Sequence, residues 1–200
     1  MLDTKQLNVV KAEELKPLEG LQCFAHGGVN IFAGASGVGK SVYLEGLYKK
    51  LKRDGYNVVY INSDESVMGI PSYEGVSLNG LIGISKYADH NDVVFVDTLK
   101  AFGANSKVDI NDDEHAYELM TELTKLARES GLTIILVHHT KADNTLEGST
   151  SLFEGADTVA IFHRDKESGQ CSASIKKQRF SFDCPQLITL EDYNESDKKC

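Results

Sequence analysis

Gly34, Ala35, Ser36, Gly37, Val38, Gly39, Lys40 and Ser41 follow one another in the spacing G-x-x-x-x-G-K-S. Glycines in that arrangement let successive backbone N–H groups curl round an anion, and a helix opening at Lys40 would aim its positive dipole end at the same point. Phosphate is the ligand this geometry suits. Lys40 would reach the β and γ phosphates of a nucleotide, and Ser41 would turn its hydroxyl to Mg²⁺, a hard cation that takes oxygen ligands. A plain glycine turn is the competing account. Ordinary residue frequencies produce the bare pattern by accident in about one chain of this length in a hundred, and the flanking segments make the accident rarer still. A second carboxylate site lies at Asp97, which closes the apolar run Val93, Val94, Phe95, Val96. An anion at the end of such a buried strand is what Mg²⁺ beside nucleotide phosphates requires. The paired His138 and His139 end another apolar run, where a ring nitrogen can meet a γ phosphate.

The elements that must position these groups alternate strand and helix. An apolar run at 29–32 precedes the glycine loop, and Leu44, Leu47, Tyr48 and Leu51 follow it at helical spacing. That helix closes on Lys49, Lys50, Lys52 and Arg53 before Asp54 and Gly55, a basic last turn with a glycine cap. Strands are expected at 57–61, 93–96, 132–137, 158–162, 172–175 and 187–190, with a turn at 164–169. The strand at 57–61 delivers Ser63, Asp64, Glu65 and Ser66 to the carboxyl edge where open α/β sheets keep their ligands. A short helix is expected over 78–87. A longer one opens at Asn111, with Glu114 as its capping-box partner and Leu119, Met120 and Leu123 on its apolar face. Ahead of the first strand, 11–18 reads as a short helix interrupted at Pro17 and 20–28 as a loop.

Composition narrows the classes. The 200 residues suit one α/β core, read as a single domain over 1–200 with a lead-in at 1–28 and a polar tail at 191–200. A net charge of −9 argues against a generally basic nucleic-acid coat while allowing a basic channel. Cys23, Cys171, Cys184 and Cys200 have no C-x-x-C spacing, so zinc and redox pairs are not expected. No apolar run approaches the ~18 residues of a membrane span, so a cytoplasmic protein without a membrane partner is expected.

Taken in order, the motifs resemble the RecA-fold P-loop ATPases, and among them the plasmid RepA-type and DnaB-type hexameric replicative helicases. The resemblance runs over about 29–179. It is carried most specifically by Asp97, Thr98, Leu99, Lys100, Ala101 and Phe102, by the run 134–141, by Gly148, Ser149, Thr150 and Ser151, and by Gly155, Ala156 and Asp157. It implies a RecA-like α/β core, a mostly parallel twisted sheet flanked by helices, with an antiparallel C-terminal strand extension. It also implies ATP and Mg²⁺ as ligands, Glu65 as the catalytic glutamate, and His138, beside His139, as the phosphate sensor. Lys177 and Arg179 match a K-x-R element that reaches the nucleotide of a neighbouring subunit. Single-stranded DNA would run along loops at 102–109 and 141–147, inside a homo-oligomer that is a hexameric ring.

Two features depart from that pattern: Glu147 stands where the helicases carry arginine, and both candidate DNA loops hold acidic residues beside Lys107 and Lys141. Sparse lysines predict weak or salt-sensitive DNA binding. The function expected is an ATP-hydrolysing motor, a replicative-type DNA helicase, as a bare core of plasmid or phage origin. The alternatives are a RecA-like recombination or annealing ATPase and an ATP-gated binding module without helicase activity. A small-molecule kinase would need a lid with arginines, and 69–91 has none.

Overall fold

The computed structural model describes residues 17–18, 21–62, 70–88, 92–165, 167–168, 171–179 and 187–189. In chain order its elements are β1 (Pro17–Leu18), β2 (Leu21–Ala25), β3 (Val29–Gly34), α1 (Lys40–Arg53), β4 (Asn57–Asn62), β5 (Tyr73–Glu74), α2 (Leu78–Ser85) and β6 (Asp92–Asp97). They continue with α3 (Leu99–Asn105), α4 (Asp113–Ser130), β7 (Thr133–His139), α5 (Thr150–Gly155), β8 (Thr158–Arg164), β9 (Cys171–Gln178) and β10 (Leu187–Thr189).

One sheet has the strand order β10-β9-β8-β3-β7-β6-β4-β5. From β8 to β5 every pairing is parallel, whereas β9 and β10 are antiparallel. This is the α/β architecture expected, including the antiparallel extension. The central strands are apolar throughout because each is covered on both faces. Val29 and Ile31 of β3, Val94 and Val96 of β6, and Ile134 and Leu136 of β7 join the core beneath α3, α4 and α5. Their alternates Phe32, Val93, Phe95, Ile135 and Val137 pack with Tyr43, Leu44, Leu47 and Leu51 of α1. A side-chain period of two thus feeds two cores from one sheet.

Several boundaries differ from expectation. Pro17–Leu18 is a strand paired antiparallel with β2, and Leu21–Ala25 is a strand where a loop is expected. Buried Asn30 explains what holds β2 in place: its amide accepts from Ala25 N–H at 2.7 Å and donates to Ala25 O at 3.0 Å. The long helix starts at Asp113. Asp112 is its cap, accepting from His115 N–H at 3.0 Å, while Asn111 is held outside by Asp109. Leu99–Asn105 is a helix, and Phe102, expected on a DNA loop, is fully buried in the core.

Candidate nucleotide-binding site

The phosphate loop sits where the carboxyl ends of neighbouring parallel strands converge. Gly34, ending β3, pairs with Phe162 of β8 on one side and with His139 of β7 on the other. Asp97, ending β6, pairs with Val137 of β7 and Asn62 of β4. Two loop glycines take left-handed backbone, Gly37 at φ 75° and Gly39 at φ 100°, a region that strains other residues. Gly34 is needed for close approach, since a Cβ there would lie 2.8 Å from Phe162 Cβ. α1 opens directly after Gly39 with no side chain capping its first amides, which leaves those donors to an incoming anion.

Lys40 is buried, and its ammonium donates to Gly34 O and Ala35 O at 2.8 Å each. Burial lowers its pKa, and the charges of Asp97 and Glu147 oppose that shift. A cavity of about 510 Å³ opens over the loop and is lined by Ser36, Gly37, Lys40, Ser41, Asp97 and His139, with Asn62, Thr98 and Arg164 completing its rim. Ser41 and Asp97 bring a hydroxyl and a carboxylate to one cavity, the hard oxygen set that Mg²⁺ takes. Asp97 is oriented by the buried Tyr60, whose hydroxyl donates to Oδ2 at 2.5 Å. Burial first, then the adjacent Asp97 charge, pushes the Tyr60 pKa upward, so the phenol stays a donor. The residues present therefore fit both a nucleotide and its cation.

The histidine pair divides. His139 lines the cavity, whereas His138 points to the opposite face of β7 and is fully buried, its Nε2 2.9 Å from Glu147 O. Strand alternation is the reason, since neighbours on β7 face opposite ways. Lys177 and Arg179 lie at the other end of the sheet. The Arg179 N–H donates to Asp157 O, five residues before Phe162 on β8, or about 17 Å of strand from the level of the loop. The Lys177 ammonium donates to Phe153 O and Glu154 O at the end of α5, and the Arg179 guanidinium donates to Glu154 O. Burial and the adjacent Arg179 push the Lys177 pKa down to about 8. Glu65 lies outside the described residues, as do Ser63, Asp64 and Ser66. Lys107 and Lys141 are exposed on their loops.

The family model for the ATPase family associated with various cellular activities (AAA) matches residues 30–152. The chain belongs to this family of ATPases. The match takes in the phosphate loop, Asp97 and both histidines, and it ends before Lys177 and Arg179. In three dimensions the ATPase is similar to a solved structure of the ATPase domain of a DnaB-like helicase, with a TM-score of 0.65 and 14% identity over 82% of this chain and 80% of that one. That likeness bears on the fold, and it agrees with the RecA-like α/β core to which the motifs point. No curated protein matches the ATPase in sequence. Asn62 and Arg164 are not legible as site residues in the sequence. Asn62 ends a strand as an ordinary polar residue, and Arg164 reads as the start of a turn, whereas β8 carries it to the cavity. The signal available is parallel register: a residue two past the partner of Gly34 must stand at the loop.

Proposed function

We propose that this ATPase is a motor that hydrolyses ATP with Mg²⁺ and works as a homo-oligomeric ring, hexameric like the helicases it resembles, on single-stranded DNA. The observation that carries the reading is the division of its charged groups between two ends of the sheet. Lys40, Ser41 and Asp97 share one cavity, while Lys177 and Arg179 sit about 17 Å of strand away, too far to serve the same cavity. Cations at that place are useful to hydrolysis only in the site of a neighbouring subunit, where they would stabilise transition-state charge. Within its own site, Lys40 and the loop amides hold phosphates, and Ser41 and Asp97 hold the cation. Bound Mg²⁺ supplies charge neutralisation to the phosphates. Glu65, just beyond the end of β4, orients the attacking water and takes its proton. His139, rather than His138, is placed to contact the γ phosphate. Arg164 stands on β8, across β3 and β7 from Asp97 on β6, at the end of the cavity away from the cation and nearer the nucleoside.

The DNA path rests on Lys107 and Lys141. Each shares its loop with a fixed negative charge. Hydrogen bonds from Asn111 lower the Asp109 pKa, and those from Thr145 lower the Asp143 pKa, which keeps both carboxylates ionised. These anions favour the second reading, an ATP-gated module with little grip on DNA. ATP turnover with and without single-stranded DNA, beside mass determination with a non-hydrolysable nucleotide, separates the two. DNA-stimulated turnover by a ring is the expected result. Turnover indifferent to DNA would leave the ATPase and remove the helicase.

A further inference from the structure

Residues 139–147 form a small hairpin arm beyond the edge of the sheet. The Glu147 N–H donates to His139 O at 3.1 Å, Thr140 bridges Leu146, and the Lys141 N–H donates to Thr145 O at 2.8 Å. Asn144 turns the chain at φ 62°. The root of the arm is clamped from beneath, where the buried His138 ring meets Glu147 O at 2.9 Å. Above this clamp the Glu147 side chain is about 38% exposed, with its carboxylate 3.9 Å from the Lys100 ammonium on the first turn of α3. The same carboxylate is one of two, with Asp97, that steady the Lys40 ammonium. One acidic group thus answers to cations on two sides, and its backbone belongs to the arm.

We propose that Glu147 is a charge latch that ties the 139–147 arm to the phosphate cavity and thereby sets the preference between nucleoside triphosphate and diphosphate. This rests on the nucleotide reading of the cavity. With no anion at Lys40, Glu147 is attracted from two sides and the arm is held. A terminal phosphate at Lys40 replaces that attraction with like-charge repulsion and also competes for Lys100. The root amide of Glu147 then loosens, and the exposed tip gains freedom. Reciprocity requires that whatever a triphosphate does to the latch, the latch does to triphosphate affinity. Glu147 acts here as a positioning residue, through charge and without touching the nucleotide.

The test compares equilibrium binding of a fluorescent non-hydrolysable ATP analogue and of fluorescent ADP, both with Mg²⁺, to the full chain. Glu147→Gln should raise the triphosphate-to-diphosphate affinity ratio about fivefold, the low end of coupling between sites, and the gain should shrink as salt is added. Glu147→Asp should stay near wild type. Lys100→Gln alters an exposed side chain and should fold normally, and it should lower the ratio. Hydrogen exchange at the Glu147 amide should run faster with the triphosphate than with the diphosphate in wild type, and equally fast in Glu147→Gln. An unchanged ratio in Glu147→Gln, or a Lys100→Gln shift of the same sign, overturns the latch while leaving the nucleotide site intact. Wild-type protein that binds neither nucleotide would overturn the site, and the latch with it.

Discussion

Lys40 and Glu65 make separable demands on the proposed hydrolysis. Lys40 is committed to the loop in the ground state through Gly34 O and Ala35 O, so Lys40→Ala should lose nucleotide binding and turnover together. Glu65→Gln should keep affinity and lose turnover by ~10²-fold, the range for a general base. Equilibrium binding beside steady-state rates checks both, and wild-type turnover in Glu65→Gln would remove that residue from the site. His138 makes a prediction about stability. Burial lowers its pKa, so the native state favours the neutral ring. Below about pH 6.5, the ordinary histidine value, the unfolded chain binds a proton that the native chain resists, and stability falls as acid is added. The loss is at most about 1.4 kcal/mol per pH unit. Melting temperatures between pH 7.5 and 5.5 should therefore decline less in His138→Gln, whatever its absolute stability. The histidine pair was legible as chemistry, but which ring faces the cavity was not, because that depends on the parity of β7 against β3.

Elements were legible where burial dictated composition. β3, β6 and β7 are covered on both faces, so their unbroken apolar runs and Asp97 at the end of one stood out. β2 did not, since its place depends on the side chain of Asn30 across a turn, a contact with no periodicity. α3 was hidden for a related reason: seven residues are too few for a helical period, and Gly103 reads as a breaker. Its role is contact, because a Cβ there would meet Ile110 Cγ2 at 2.8 Å. The start of α4 shifted by one because Asn111 and Asp112 are both good caps and Asp109 engages the first. Asp157 is a further case of an element held by one side chain. It is buried, accepts from Val29 N–H at 2.9 Å and pairs with Arg128 of α4 at 2.7 Å, joining α4 to the starts of β3 and β8. Asp157→Asn leaves Arg128 without its charge partner and should cost about 3 kcal/mol, or roughly 10 °C in melting temperature for a domain of this size. Thermal denaturation measures it, and a shift under about 2 °C would mean the pair is dispensable.

The whole molecule has a nucleotide end and a cationic end, so contacts that unite them are head-to-tail rather than two-fold. Arg179→Ala should bind nucleotide almost normally yet turn over 10³- to 10⁵-fold more slowly, the range for an arginine supplied across an interface. Mixing Arg179→Ala with Lys40→Ala should restore part of the activity, because some interfaces then pair a sound loop with a sound arginine. If subunits demonstrably exchange and the mixture stays inactive, the trans role of Arg179 is lost. The placement of Lys177 and Arg179 on the last carbonyls of α5 also bears on heredity. Side chains that close a helix end contribute about 1 kcal/mol to stability, enough to alter cellular abundance severalfold. Alleles at these two positions would reach a genetic screen as low-abundance protein and be filed with folding mutants. Only variants rescued in amount, by a stabilising change elsewhere, would expose a defect in hydrolysis.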